Sequence, residues 1–123
     1  MTIGFIGTGE ITRAVVTGLS TVEGEKPAIL VSPRNEAIAR DLADRFENVA
    51  VAGSNQDVID GAEMVCLALR PQDAVGILEG LKFGPAHHVV SFMATYGVEQ
   101  IEKLTAPAQK VTLVTPLPAV AAY

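Results

Sequence analysis

Cysteine is almost missing from this chain, and nothing in it makes basic charge or membrane insertion an organising feature. The lone Cys66 excludes a disulfide within one chain. It sits inside the apolar run Met-Val-Cys-Leu-Ala-Leu, which marks it as a buried, inert thiol rather than a nucleophile. Basic residues number 9 against 14 acidic ones, for a net charge of −5. A nucleic-acid surface needs a basic patch to neutralise phosphates, so that class of partner is excluded and any anion site must be local. Apolar runs such as Met64 to Leu69 fall far short of the roughly 20 residues that cross a bilayer, so no membrane association is expected. The N-terminus has no basic segment and moves at once into a glycine turn, which argues against a secretory signal. A cytoplasmic location is the expectation. No repeat, low-complexity tract or linker is present, and no metal-ligand cluster, serine triad or usefully spaced carboxylate pair stands out. Catalytic residues and metal ligands are therefore not assigned.

What is present is a chain of 123 residues, 49% of them hydrophobic, enough for one domain with a real core. Runs rich in β-branched residues alternate with segments of helical periodicity, the pattern of βαβ units around a parallel sheet. Strands are expected near 2–6, 28–32, 48–51, 63–69, 88–93 and 110–115. Between the first two, Ile11, Ala14, Val15, Gly18, Leu19 and Val22 recur at helical spacing and form one apolar stripe. A second helix follows Asn35 as N-cap and buries Ile38, Leu42 and Phe46. On its wet face Arg40 with Asp44, and Asp41 with Arg45, are spaced as i, i+4 pairs. Ser54 or Asn55 caps a short helix leading to Gly61. Pro71 opens another, with Ala74, Val75, Leu78 and Leu81 inward, and Val98, Ile101 and Leu104 mark a last one. The fold class is α/β: a Rossmann-type, doubly wound, mainly parallel six-stranded sheet with helices on both faces.

Residues 4 to 12 read GFIGTGEIT, an apolar strand, two glycines one residue apart, and a helix start. A strand feeding a helix through a tight turn aims the helix's free N–H groups at one point, where an anion gains hydrogen bonds and a favourable dipole. Gly7 allows the turn, and Gly9 lets a pyrophosphate approach the backbone. Thr12 stands where a third small residue packs between helix and sheet. Strand before, helix after and a second strand at the right distance give the glycines the context that a dinucleotide site requires. At the end of the second strand an NAD site would carry an acid for the ribose hydroxyls. This chain has Ser32 there and Arg34 two residues on, a hydroxyl and a guanidinium suited to a ribose 2′-phosphate, which favours NADP over NAD. Arg70 follows the fourth strand, again at a carboxyl end, where open α/β sheets bind ligands. His87 and His88 precede the fifth strand, away from that crevice, and read as structural or solvated.

The segments IGFIGTGEIT, VSPRN, SNQDVIDGAEMVCLALRPQD and VVSFMATYGVEQIEKL, in this order, resemble the N-terminal domain of the pyrroline-5-carboxylate reductase family over essentially the whole chain. The resemblance implies hydride transfer from NAD(P)H to the C=N bond of a cyclic imino acid, giving proline. It implies Gly7, Thr8, Gly9, Glu10 and Ile11 around the pyrophosphate and nicotinamide side, Ser32 and Arg34 at the 2′-phosphate, Asn55 at the adenosine, and Ala68, Leu69, Arg70 and Pro71 along the cofactor crevice. It also implies a C-terminal helical domain that completes the substrate pocket and a homo-oligomer, and no such domain is encoded here. The 123 residues are thus expected to bind nucleotide with little or no turnover.

This chain departs from the family at several positions. Glu10 replaces a common Asn and brings negative charge near the pyrophosphate unless it turns away or meets a cation. Arg70 replaces Lys, Thr95 stands in place of Gly, and TPLPAV replaces a motif like Met-Pro-Asn-Thr-Pro, so that the family's Asn is Leu117 or absent. These departures keep open a non-catalytic dinucleotide sensor, or an oxidoreductase acting on another small substrate. A methyltransferase-like adenosylmethionine site is disfavoured by Ser32 and Arg34, because that position would need an acid.

Overall fold

The structure, a computed structural model, describes residues 1–7, 9–21, 23–93, 96–108 and 110–114. The expectations for Thr8, Val22, Thr95, Leu117 and the TPLPAV segment lie outside the described residues.

Six strands, β1 (Thr2–Ile6), β2 (Ala28–Val31), β3 (Val49–Val51), β4 (Met64–Leu67), β5 (His88–Ser91) and β6 (Lys110–Leu113), form one sheet in the order β3-β2-β1-β4-β5-β6. Every pairing is parallel, so the expected "mainly parallel" sheet is wholly so among the described residues. Five helices cross between strands: α1 (Glu10–Ser20), α2 (Glu36–Arg45), α3 (Asn55–Gly61), α4 (Pro71–Leu78) and α5 (Val98–Leu104). This is the doubly wound Rossmann arrangement, whose topological switch point falls between β1 and β4.

Strand alternation divides the core. Ile3, Phe5, Ile29, Val31 and Cys66 point to one face, where Val16 of α1 and Ile38 and Leu42 of α2 cover them. Ile6, Val65, Leu67 and Val89 point to the other, against Val58 and Ile59 of α3, Ala74 and Leu78 of α4, and Ile101 of α5. The central strands are buried on both faces, as parallel strands between helices must be. Each fully buried Leu, Ile or Phe contributes roughly 1.5–3 kcal/mol relative to exposure.

The helix faces depart from the expected stripes in instructive ways. In α1 the innermost line is Thr12, Val16 and Ser20, four residues apart and all buried, while Val15 and Leu19 flank it half-buried and Gly18 is exposed. Two of those three inner residues are polar, and each has a partner: Thr12 donates to the Gly7 carbonyl, and Ser20 accepts from the Asn48 side chain at 3.1 Å. Apolar periodicity alone misses a helix that approaches its sheet on small hydroxyl residues. Val75, expected inward, is 42% exposed, Val98 at the start of α5 is 41% exposed, and Leu81 lies past the end of α4, half-buried. Asn35 holds the N-cap position of α2 but in the left-handed region (φ 62°) with no side-chain cap. Arg40 pairs with Glu36 at 2.6 Å instead of Asp44, because a partner toward the helix start is equally close on the surface. Asp41 and Arg45 pair as expected, at 3.5 Å. At α3 the cap is Ser54, whose hydroxyl accepts the Asp57 N–H at 3.1 Å.

At the amino ends of the strands the two histidines are structural. His87 Nδ1 accepts the Gly84 N–H at 2.8 Å, which leaves Nε2 to donate to the Ile59 carbonyl at 2.8 Å and fixes the neutral tautomer. His88 Nε2 bonds the Thr112 hydroxyl at 2.8 Å across β5 and β6.

Cys66 is 4% exposed, and burial pushes its thiol pKa up to about 12. At pH 8 only about one thiol in ten thousand would then be ionised. A thiol reagent at that pH is expected to label the native chain orders of magnitude more slowly than the chain in denaturant. Equal labelling rates would contradict the buried placement.

Candidate functional site

Among the cavities that open on the described surface, three are of similar size, so size does not choose among them. Two lie at the amino ends of strands: one of about 360 Å³ involving His87, His88, Glu63 and Lys110, and one of about 380 Å³ between Lys26, Arg45 and Asn48. The third, about 330 Å³, lies at the carboxyl ends of β1, β2 and β4, lined by Gly7, Gly9, Arg34, Asn35, Ala68, Leu69, Arg70 and Asp73. Ligands of open α/β sheets bind outside the carboxyl ends at the switch point, which selects this third cleft.

Gly7 has a positive φ of 92°, and a Cβ there would come within 2.5 Å of the Ala68 carbonyl oxygen. The protein's own packing therefore demands glycine at this position. Gly9 is different: its backbone is extended (φ −122°), and an added Cβ would meet nothing within 4 Å. Among the described residues no contact demands glycine at 9, so the bareness of that backbone is available to a group outside the protein. Gly9 caps α1, whose first N–H groups lie beyond the reach of intrahelical bonding.

Two hydroxyls hold the turn. The Gly7 N–H donates to Ser32 Oγ at 3.1 Å, and the Thr12 hydroxyl donates to the Gly7 carbonyl. Thr12 is thus more than a packing substitute for alanine. Ser32, at the end of β2, is fully buried and does not line the cleft. Arg34, two residues on, is exposed, lines the cleft and makes no ion pair among the described residues.

The second guanidinium is committed. Arg70 caps α4, and its Nε and Nη2 both lie 3.0 Å from Asp73 Oδ2. This largely solvated pair is worth at most about 1 kcal/mol, but it leaves Arg34 as the uncompensated cation among the described residues of the cleft lining. Glu10 is answered in a similar way: it is exposed and meets Arg13 at 3.2 Å, so the first turn of α1 carries no net side-chain charge toward an anion.

The structure therefore gathers Gly7, Gly9, Arg34, Ala68, Leu69 and Arg70 around one cleft. Glu10 and Ile11 stand in the first turn of α1 just beyond its lining, Ile11 half-buried. Pro71 opens α4, and its carbonyl accepts the Tyr96 hydroxyl at 2.8 Å. Asn55 opens α3, half-buried and apart from the lining. Two lining residues were not anticipated, Asn35 and Asp73. The i, i+3 spacing of Arg70 and Asp73 was a signal for the second, whereas the left-handed backbone of Asn35 had none beyond the residue's tolerance for that region.

Comparison with known proteins adds four findings. A family model described as NADP oxidoreductase, coenzyme F420-dependent, matches residues 2–95. A pyrroline-5-carboxylate reductase of Pasteurella multocida is 29% identical over 116 residues, covering 91% of this chain, and the chain spans 42% of that relative's length. Among solved structures, the 1-pyrroline-5-carboxylate reductase of Streptococcus pyogenes is 26% identical with a TM-score of 0.79, covering 94% of this chain and 42% of its own. The pyrroline carboxylate reductase of Plasmodium falciparum, solved with NADP bound, shares the fold at 14% identity, with a TM-score of 0.73 over 99% of this chain and 44% of its own.

The two glycines give a paired test of this geometry. Gly7→Ser is expected to destabilise the chain by more than about 2 kcal/mol in urea unfolding, through a strained backbone and a clash with Ala68. Gly9→Ser should stay within about 0.5 kcal/mol, since serine suits an N-cap. Equal losses at both positions would contradict the account.

Proposed function

The chain belongs to the family of coenzyme F420-dependent NADP oxidoreductases, and from that premise we propose that it is the NADP(H)-binding domain of an imine reductase. The reaction proposed is reduction of the C=N bond of a cyclic imino acid such as pyrroline-5-carboxylate, giving proline. The observation that carries the cofactor reading is Arg34, a cation in the cleft lining that makes no ion pair among the described residues, at the end of a β2 that carries no acid. A ribose 2′-phosphate is the group that such a guanidinium recognises, in bidentate fashion, and the absence of a carboxylate there removes the hydrogen-bond acceptor that favours NAD.

The open backbone at Gly9 fits a pyrophosphate, with the N–H groups of Glu10, Ile11 and Thr12 at the positive end of α1. The stretch Ala68, Leu69, Arg70 and Pro71 borders the crevice on the β4 side, with Asn55 toward the adenosine and Ile11 toward the nicotinamide. When bound, the nicotinamide supplies the hydride. The chain's own task is to orient the dinucleotide at the switch point and to exclude water from one side of it. Neither Cys66 nor His87 serves as proton donor in this scheme: one is buried with a raised pKa, and the other is engaged at the opposite end of the sheet.

The substrate pocket of the whole protein is proposed to be completed by a helical domain following these residues, through which it would form a homo-oligomer. The coverage of the relatives supports this, since the chain corresponds to 42% of their length.

Titration of the chain should show tighter binding of NADPH than of NADH. Arg34→Ala should weaken NADPH about 10- to 100-fold and leave NADH nearly unchanged. Equal affinities, unmoved by that substitution, would sink the cofactor assignment. For the substrate, a version carrying the following domain should form proline from pyrroline-5-carboxylate and NADPH, and tight NADPH binding with no turnover would favour a non-catalytic sensor.

A further inference from the structure

The geometry points to Ser32 as a positioning residue for the glycine turn, with discrimination between the two dinucleotides left to Arg34. The inference rests on the dinucleotide reading above and deepens it. Ser32 and Arg34 are two residues apart at the end of β2, yet they occupy opposite situations. Ser32 is 0% exposed and its hydroxyl takes the Gly7 N–H at 3.1 Å, whereas Arg34 is exposed at the cleft.

Gly7 is fixed from three sides. Ser32 holds its N–H from β2, the wholly buried Thr12 holds its carbonyl from α1, and the Ala68 carbonyl stands where a side chain would project. The two peptide groups that flank the Gly7 Cα are thereby bonded to the residue just after β2 and to α1, with the residue after β4 packed against that Cα. Removing the Ser32 hydroxyl would leave the Gly7 N–H without that acceptor and loosen the backbone that any dinucleotide pyrophosphate would contact. The loss would be shared by NADPH and NADH, because both carry the pyrophosphate. Removing the Arg34 guanidinium would act only where a 2′-phosphate is present.

The test combines binding and amide exchange on the full chain, with Ser32→Ala, the near-isosteric Thr12→Val and Arg34→Ala. Ser32→Ala and Thr12→Val are each expected to weaken NADPH and NADH by a similar factor, about tenfold, leaving their ratio within about twofold of the parent value. Without ligand, exchange of the Gly7 amide should quicken about tenfold in Ser32→Ala and stay unchanged in Arg34→Ala. Loss of NADPH preference in Ser32→Ala, with Gly7 exchange unchanged, would overturn the positioning role and make Ser32 a phosphate ligand. A parent chain that binds neither dinucleotide would overturn the dinucleotide reading instead. The Gly7 amide then decides the positioning role alone: quicker exchange in Ser32→Ala supports it, and unchanged exchange overturns it.

Discussion

The close approach of Gly7 to the Ala68 carbonyl is the constraint on which the candidate site depends. It joins the ends of β1 and β4 at the point where the sheet reverses its winding, and it admits no side chain, since a Cβ would lie 2.5 Å from that oxygen. The left-handed backbone, the buried hydroxyls of Ser32 and Thr12, and the N-terminus of α1 at Gly9 are all arranged about that contact. A turn so held loses little further conformational freedom when a ligand arrives, which is how preorganisation favours binding.

Charge in the cleft follows from local pairing. The chain is acidic overall, yet near the site each carboxylate has its own cation: Glu10 meets Arg13, and Asp73 meets Arg70. What remains uncompensated among the described residues of the lining is Arg34. A net acidic protein can thus present one localised positive site, with the helix dipole of α1 adding to it. The uncertainty that Glu10 raised in the sequence resolves into an exposed pair with a residue three positions away.

Much of the fold was legible because parallel strands write themselves as β-branched runs, and each of the six lies within two residues of its expected limits. The helix faces were less legible where burial is achieved by small polar residues. Thr12 and Ser20 go inward because each finds a hydrogen-bond partner, a fact set by tertiary contact and invisible to hydrophobic periodicity. In the site, the glycines, Arg34 and the segment after β4 were readable from position alone. Which of two neighbouring polar residues turns inward was not, because β2 ends beside Gly7 and the geometry there takes up the Ser32 hydroxyl. Asn35 and Asp73 entered the lining through a backbone conformation and a side-chain pair that only the assembled loops reveal.

The central claim is that the cleft at the switch point, and neither of the amino-end cavities, receives a dinucleotide. The most direct measurement is amide chemical-shift mapping of the chain titrated with NADPH. The account predicts saturable shifts centred on Gly7, Gly9, Arg34, Asn35, Leu69 and Arg70, with little change at His87, His88 or Lys110. Shifts centred on the histidine end of the sheet, or none that saturate at the glycine turn, would contradict it.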